Sequence, residues 1–192
     1  MSANVAVPQP DTEEETSFQL NQLPVRLRAS SGAKIKDVDG NDLSGGSWFK
    51  IRFPDGSKLS VGQRDDNITQ KQAYEAIVKP SNCGPAIALQ GVSSLSEDED
   101  AQFVGHVTWG SSRKRLTLHL SLNKAGNQLH WYPSNDGYGI RAEMVGNTNR
   151  VRLFGKDENG ALHGLQVLQH GEYLKVFSDK WGIGLECTFV PI

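Results

Sequence analysis

The sequence predicts an all-β domain, and three observations support this prediction. Apolar and polar residues alternate along several short stretches, turn-forming residues separate these stretches, and a segment that begins at Gly126 recurs from Gly171. The chain has 192 residues, which is long enough to bury one sizeable core. We therefore expect short antiparallel strands joined by tight turns and gathered into a single domain.

The alternation has a period of two residues, which is typical of strands with one buried face and one exposed face. It is clearest in residues 116–122, where a Thr, a His and a Ser separate four leucines. Residues 49–53 show the same pattern with two phenylalanines and an isoleucine. Asp-Gly pairs at positions 39 and 55 and the Asn-Asp-Gly at position 135 are typical turn signals.

One segment, NITQKQAYEAIVKP, departs from this pattern. Thr69 lies three residues before Gln72, which is the spacing of a helix capping box, and the segment ends at Pro80. The residues between them suit a helix. We predict one short added helix between about residues 69 and 79.

The recurring segment reads GNQLHWYPSNDGYGIRAEMV from Gly126 and GEYLKVFSDKWGIGLECTFV from Gly171. Each copy has a leucine three residues after its first glycine, then an aromatic residue, a polar turn and a second strand. A weaker third copy begins at Gly32. A period in the forties indicates a repeated supersecondary unit. Three strand–turn–strand units fit a β-trefoil, which is the fold that we predict.

The first seventeen residues differ in composition from the rest of the chain. They contain four acidic residues between positions 11 and 15, two prolines and no Lys or Arg. Such a segment is typical of a solvated, flexible tail. We predict an acidic tail over residues 1–17 and a single β-trefoil-like domain over residues 18–192.

The two cysteines, Cys83 and Cys187, are expected to be free thiols, because disulfide scaffolds usually contain more cysteines. The amino terminus shows no basic end followed by an apolar stretch, so we expect a cytoplasmic protein. The sequence leaves secretion by another route open.

Motifs for catalysis and for cofactor binding are absent from the sequence. It has no P-loop, dinucleotide fingerprint, nucleophile elbow or HExxH motif. Its five histidines do not have metal-ligand spacing, and the acidic stretch at 37–42 lacks the EF-hand register. Basic residues form no stripe for nucleic acid. We expect a non-enzymatic binding protein without cofactor or metal, with a protein or glycan partner rather than nucleic acid or membrane.

The stretch IKDVDGNDLSGGSWFKI, residues 35–51, resembles the N-terminal signature of the plant-type Kunitz (soybean trypsin inhibitor) family of β-trefoils. That signature has an aliphatic residue, an Asp, an acidic-Gly turn, a second aliphatic residue and an aromatic-x-aliphatic triplet. The matching residues are Ile35, Asp37, Asp39-Gly40, Leu43, Phe49 and Ile51. Phe49 stands where the family usually has Tyr, and the family's four cysteines and secretion signal are not matched.

The resemblance implies a protease inhibitor that presents a rigid, exposed loop to a serine or cysteine protease. In the family this loop joins the fourth and fifth strands and often carries Arg or Lys at the primary specificity position. We assign that position to the GSSRKRL stretch and its residues Arg113, Lys114 and Arg115. A basic side chain on a preformed loop would enter the acidic primary pocket of a trypsin-like protease with little loss of entropy.

A carbohydrate-binding module is the alternative function. Trefoils bind sugars in shallow pockets where an aromatic face stacks on the ring and Asn or Asp binds the hydroxyls. The turn at 131–138 offers Trp131, Tyr132, Asn135, Asp136 and Tyr138, and its repeat at 177–181 offers Phe177, Asp179 and Trp181. Two such sites would raise avidity.

A membrane-lytic protein is a minor alternative. The stretches FVGHVTWGSSRKRLTLHLSL and GYGIR are faintly similar to strands of actinoporins, which are β-sandwiches. An actinoporin-like or lectin-like β-sandwich is therefore the alternative fold. The amino terminus is acidic and contains proline, however, whereas such toxins need an amphipathic helix there.

Overall fold

The computed structural model describes five stretches of the chain, which are residues 32–65, 72–80, 84–109, 114–134 and 137–192. Nearly all of them belong to one compact unit, Lys34–Ile192. The predicted acidic tail, residues 1–17, lies outside the described residues. Within these stretches the secondary structure consists of strands, and no helix is long and apolar enough to cross a membrane.

Twelve strands are formed by the described residues. In chain order they are β1 Phe49–Arg52, β2 Lys58–Arg64, β3 Tyr74–Lys79, β4 Ala86–Gln90, β5 Asp100–Trp109, β6 Lys114–Leu122, β7 Leu129–Tyr132, β8 Ile140–Met144, β9 Val151–Lys156, β10 Leu162–His170, β11 Tyr173–Asp179 and β12 Leu185–Pro191. Short turns join most of them, as the sequence predicts.

Six of these strands close into a ring. Strand β1 pairs with β12 and β4, β5 pairs with β4 and β8, and β9 pairs with β8 and β12, all antiparallel. The pairs β2–β3, β6–β7 and β10–β11 form three hairpins, and β3 also pairs with β7 and β11. A closed ring leaves no edge strand among its members.

This pairing is the one expected of a β-trefoil, in which a six-stranded barrel is covered by three hairpins. The prediction of an all-β domain is confirmed. The β-sandwich alternative, actinoporin-like or lectin-like, is wrong, because the strands form one sheet that closes on itself rather than two facing sheets.

Three phenylalanines meet in the middle of the barrel. Phe49 of β1, Phe103 of β5 and Phe189 of β12 are fully buried, and their ring centroids lie 5.2 to 6.0 Å apart. The two contacts of Phe49 are edge-to-face, a favourable geometry for aromatic pairs. Aromatic side chains from three of the six barrel strands thus pack together inside the barrel.

The segment before β1 folds as its sequence predicts. Ile35 and Leu43 are buried at 0% and 1% exposure. Between them, the Asp37 carboxylate accepts hydrogen bonds from the backbone N–H groups of Asp39 at 2.8 Å and Asn41 at 3.0 Å. Gly40 completes this turn with a positive φ of 87°, which glycine adopts without strain. The signature residues therefore build a side-chain-stabilised turn between two core contacts.

The predicted helix at about residues 69–79 is wrong over the part that the structure describes. Residues Tyr74–Lys79 form β3, which pairs with β2, β7 and β11. Three successive residues of this strand, Ala76, Ile77 and Val78, are buried, so both of its faces are covered. Pairing with three strands outweighs the local helical pattern, as tertiary context often does. Thr69, the predicted cap, lies outside the described residues.

The two main copies of the repeat occupy equivalent places. Each runs from a hairpin strand into a barrel strand, β7 to β8 and β11 to β12. Gly139 and Gly184, each thirteen residues into its copy, both have positive φ, at 84° and 95°. The copy predicted at Gly32 is wrong, because it ends in the barrel strand β1 but no hairpin strand precedes β1 among the described residues. The third equivalent connection is β3–β4, where Gly84 has a φ of 132°.

The turn between β9 and β10 is held by Asp157. Its carboxylate accepts hydrogen bonds from the N–H groups of Asn159 and Ala161, both at 2.9 Å, and lies 2.7 Å from Nε2 of His163. Burial alone would raise the pKa of Asp157, but these hydrogen bonds, led by that from Ala161, hold it below its ordinary value. The turn therefore depends on an ionised carboxylate.

Candidate functional site

The predicted inhibitory residues lie at one end of the β5–β6 hairpin. Seven consecutive residue pairs join the two strands, from Phe103 opposite Leu120 to Trp109 opposite Lys114. Lys114 and the next residue, Arg115, are therefore the first two residues of β6. Arg113 lies outside the described residues.

The base of this hairpin is anchored in the core. Phe103, Leu118 and Leu120 are fully buried. Towards the other end the exposure rises, and Arg115 pairs with Thr108 where both residues are exposed. No acidic side chain among the described residues forms an ion pair with Arg115. The hairpin thus holds a basic side chain in solvent on a well-anchored ladder.

The place of the basic stretch in the strand order differs from the prediction. The connection between β4 and β5 is residues 91–99, whereas Arg113, Lys114 and Arg115 lie between β5 and β6. The assignment of 113–115 to the loop between the fourth and fifth strands is therefore wrong. The true β4–β5 connection, GVSSLSEDE, contains no Lys or Arg.

The β4–β5 connection is itself held firmly. Leu95 is fully buried, donates its N–H to the Leu43 carbonyl at 2.9 Å and accepts the N–H of Ile35 at 2.9 Å. The Ser93 carbonyl accepts the N–H of Gly45 at 2.8 Å. The side chain of Ser93 is exposed. The signature segment therefore fixes this connection by hydrogen bonds and leaves Ser93 exposed. The connection is a second rigid surface, which the sequence pattern does not indicate.

The first predicted sugar-binding turn does not present its aromatic residues. Trp131 is fully buried, Tyr132 is 7% exposed, and Nε1 of Trp131 donates to the Ser60 carbonyl at 3.2 Å. A ring without exposed area cannot stack on a sugar, so the assignment of both residues is wrong. The reason is that both faces of β7 are covered. Tyr138 is half-buried, and Asn135 and Asp136 lie outside the described residues.

The second predicted sugar-binding turn does present an aromatic residue. Trp181 is 84% exposed, and Nζ of Lys180 lies 5.4 Å from its ring centroid. The Asp179 carboxylate accepts the Trp181 N–H at 3.0 Å, and the Asp179 carbonyl accepts the Gly182 N–H at 2.9 Å. Asp179 therefore holds the turn, and Trp181 projects from it. Phe177 is half-buried beside His170.

A pocket of about 370 Å³ lies beside the turn that joins β1 and β2. Arg52, Arg150 and Thr188 line it, together with residues 53–56 and Cys187. No sequence motif reveals this pocket, because its walls come from three separate parts of the chain.

Chemistry at a thiol or a metal finds no support in the described residues. Cys187 is free and buried, and burial, with the nearby charge of Glu186, raises the pKa of its thiol strongly. A thiol of this kind is not a nucleophile at neutral pH. The described part of the chain has no group of three His, Cys, Asp or Glu side chains that could hold a metal ion. Cys83 lies outside the described residues.

No protein-family model and no curated protein matches this chain. Solved structures match it in fold. Trypsin inhibitor 1 from Senna obtusifolia has a TM-score of 0.68 at 13% identity over 86% of this chain and 92% of its own. A chain of the porcine pancreatic trypsin–soybean trypsin inhibitor complex has a TM-score of 0.62 at 10% identity. The match covers 83% of this chain and 99% of that chain.

A water-soluble chlorophyll protein from Brassica oleracea var. Botrytis, with chlorophyll b, also matches, with a TM-score of 0.59 at 10% identity over 83% of this chain and 98% of its own. At such identities the likeness shows the fold. The Kunitz-type resemblance predicted from residues 35–51 is therefore confirmed at the level of the fold. Inhibitors and a pigment protein share this fold, so the fold alone does not define the function.

Proposed function

We propose that this chain is a non-enzymatic binding protein that inhibits a protease through the basic end of its β5–β6 hairpin. The observation that carries the proposal is the seven-pair ladder, which holds Lys114 and Arg115 at the end of a hairpin anchored in the core. Arg113 directly precedes them. The fold shared with trypsin inhibitors supports inhibition in general by analogy, whereas the choice of the β5–β6 hairpin rests on its basic residues.

Both charge and entropy favour binding of this basic end to a trypsin-like protease. The primary specificity pocket of a trypsin-like protease contains a buried carboxylate, which binds Arg or Lys. A residue held by a regular ladder loses little conformational freedom when it binds, so more of the interaction energy appears as affinity. Arg115 meets the requirement of exposure, because it lies in solvent opposite the exposed Thr108.

An inhibition titration against trypsin and a papain-like protease tests the proposal. The wild-type chain should inhibit trypsin with one-to-one stoichiometry. The triple variant Arg113→Ala, Lys114→Ala, Arg115→Ala should raise the inhibition constant by about a hundredfold or more, as loss of an interface hot spot does. Lys124→Ala, an exposed lysine in the β6–β7 turn, is the matched control and should inhibit like the wild type.

A variant of the β4–β5 connection locates the contact. Ser93→Glu places a charge on the exposed side chain of that connection. If Ser93→Glu abolishes inhibition while the triple variant inhibits normally, residues 91–99 contact the protease and the β5–β6 proposal is wrong. Absence of inhibition of both proteases at micromolar concentration also contradicts it.

Glycan binding is a second candidate function, and the 84% exposure of Trp181 favours it. An exposed indole on a turn fixed by Asp179 provides an apolar face on which a sugar ring can stack. A glycan array run with the wild type and with Trp181→Ala tests this candidate. Binding that disappears in Trp181→Ala supports it, and the absence of any binding refutes it.

A further inference from the structure

A row of basic side chains crosses the outside of the sheet, on strands other than β5 and β6. Arg52 of β1 pairs directly with Lys58 of β2, and Lys58 pairs directly with Lys79 of β3. Directly paired residues of antiparallel strands project from the same face, with Cβ atoms about 4.5–5.5 Å apart. Three cations thus lie side by side on neighbouring strands, and like charges in this position repel each other.

The row continues across the other side of β1. Arg52 pairs with Thr188 of β12. Arg150 directly precedes Val151, whose partner on β12 is Cys187, so Arg150 follows in register beside Thr188. The row therefore crosses five adjacent segments of the sheet, in the order Lys79, Lys58, Arg52, Thr188 and Arg150.

The pocket of about 370 Å³ lies at the Arg150–Thr188–Arg52 end of this row. Its volume is within the range of small-molecule sites. The two arginines and the threonine provide hydrogen-bond donors, and Phe53 and Pro54 provide an apolar wall. The pocket therefore combines anion-binding groups with a surface for an uncharged part of a ligand.

Two carboxylates adjoin these cations, and both are engaged. Glu186 pairs with Arg150 at 3.0 Å. The Asp55 carboxylate accepts hydrogen bonds from the hydroxyl and from the backbone N–H of Ser57. These two bonds, with the hydroxyl's the stronger cause, hold the pKa of Asp55 below its ordinary value. Among the described residues, no acidic side chain pairs with Arg52. Arg52 therefore presents a guanidinium that no described carboxylate neutralises.

We propose that this pocket binds a small ligand that carries a phosphate or sulfate group, held by Arg52, Arg150 and Thr188. A guanidinium binds such oxyanions with two parallel hydrogen bonds. Arg52 has no competing carboxylate among the described residues, whereas Arg150 also contacts Glu186. Lys58 and Lys79 add long-range attraction to the approaching anion. The proposal is independent of protease inhibition, because it uses none of the residues of the β5–β6 hairpin.

Calorimetric titration with glucose 6-phosphate, glucose 6-sulfate and glucose tests the proposal on the whole chain. One or both of the charged sugars should bind at a single site, and glucose should not bind. The two charged probes distinguish a phosphate from a sulfate ligand. Binding should weaken at high salt, because the attraction between exposed charges is screened.

Substitutions define the site. Arg52→Gln and Arg150→Gln should each weaken binding by about tenfold or more, because each removes a charged donor. Lys79→Glu should weaken binding, because it places an anion in the row of cations. An unfolding midpoint in urea equal to that of the wild type would show that the loss of binding does not come from misfolding. Lys124→Gln, in the β6–β7 turn and outside the pocket lining, is the control and should bind normally.

Three results would overturn the proposal. These are the absence of saturable binding of both charged sugars at low salt, unchanged affinity in Arg52→Gln, and equal loss of affinity in Lys124→Gln. The last result would show attraction to net charge rather than a site. Trypsin inhibition by Arg52→Gln should equal that of the wild type, so failure of this proposal is distinguishable from failure of the proposed inhibition.

Discussion

Replacement of Trp131 by alanine tests how the hairpin layer is held on the barrel. Trp131 lies in β7, has no exposed surface, and donates Nε1–H to the Ser60 carbonyl of β2 at 3.2 Å. Its ring packs so tightly against Gly105 of β5 that a Cβ atom there would lie 2.8 Å from the ring. One side chain thus connects β7 with β2 and β5, and we expect its loss to lower the free energy of unfolding of the whole domain.

The magnitude follows from these contacts. Truncation of a buried Trp to Ala costs about 3–5 kcal/mol through lost burial and the cavity that remains. Loss of the hydrogen bond to Ser60 adds about 1 kcal/mol. The expected total of about 4–6 kcal/mol is a large part of the roughly 5–15 kcal/mol that stabilises a typical domain. The midpoint of thermal unfolding should fall by roughly 10–20 °C.

Urea denaturation followed by far-UV circular dichroism measures this loss. Trp181→Ala is the matched control, because Trp181 is 84% exposed and its truncation should change stability by about 0.5 kcal/mol or less. A loss of unfolding free energy below about 1 kcal/mol for Trp131→Ala, or equal losses for both variants, would show that Trp131 does not hold the hairpin layer on the barrel. Trp131 would then not be a core residue, and its role in sugar stacking would have to be reconsidered.

Three further predictions concern stability and reactivity. Gly184→Ala should destabilise the fold more than Gly139→Ala in urea denaturation, because a Cβ at 184 would meet side-chain atoms at 2.8 Å and one at 139 only at 3.4 Å; equal costs would contradict the packing. Asp157→Asn should cost about 1–3 kcal/mol at neutral pH. Because the folded-state pKa of Asp157 is lowered, its contribution is present above the unfolded-state value of about 3.9 and lost as pH falls through the folded-state pKa, so wild type and variant should converge in acid; a constant difference would exclude this linkage. In a Cys83→Ser background, Cys187 should react with a thiol reagent only after unfolding, and rapid labelling of the native protein would show that it is accessible.

The sequence predicts the part of the fold in which local chemistry and tertiary structure agree. Ile35, Leu43, Phe49 and Ile51 are all buried as the signature requires. All except Phe49 have a polar residue on each side, and this alternation leaves one orientation for the strand. The repeat is also visible, since the polar turn and the glycine before each barrel strand recur at a fixed distance.

The remaining features depend on contacts between distant segments. Strand β3 contains a helix-compatible pattern, and pairing with β2, β7 and β11 decides its structure. Strand β7 is buried on both faces, so alternation could not show that Trp131 points into the core. The row formed by Arg52, Lys58 and Lys79 requires the register of three strands, and no sequence spacing reveals it.

Competition with benzamidine tests whether residues 113–115 enter the primary pocket of trypsin. Benzamidine is a small amidinium that fills the acidic primary pocket of trypsin, the place proposed for a basic side chain of residues 113–115. We predict that immobilised wild-type chain binds trypsin, that saturating benzamidine displaces it, and that the Arg113→Ala, Lys114→Ala, Arg115→Ala variant does not bind. Binding of trypsin that persists in saturating benzamidine, or in the triple variant, would show that residues 113–115 do not occupy this pocket.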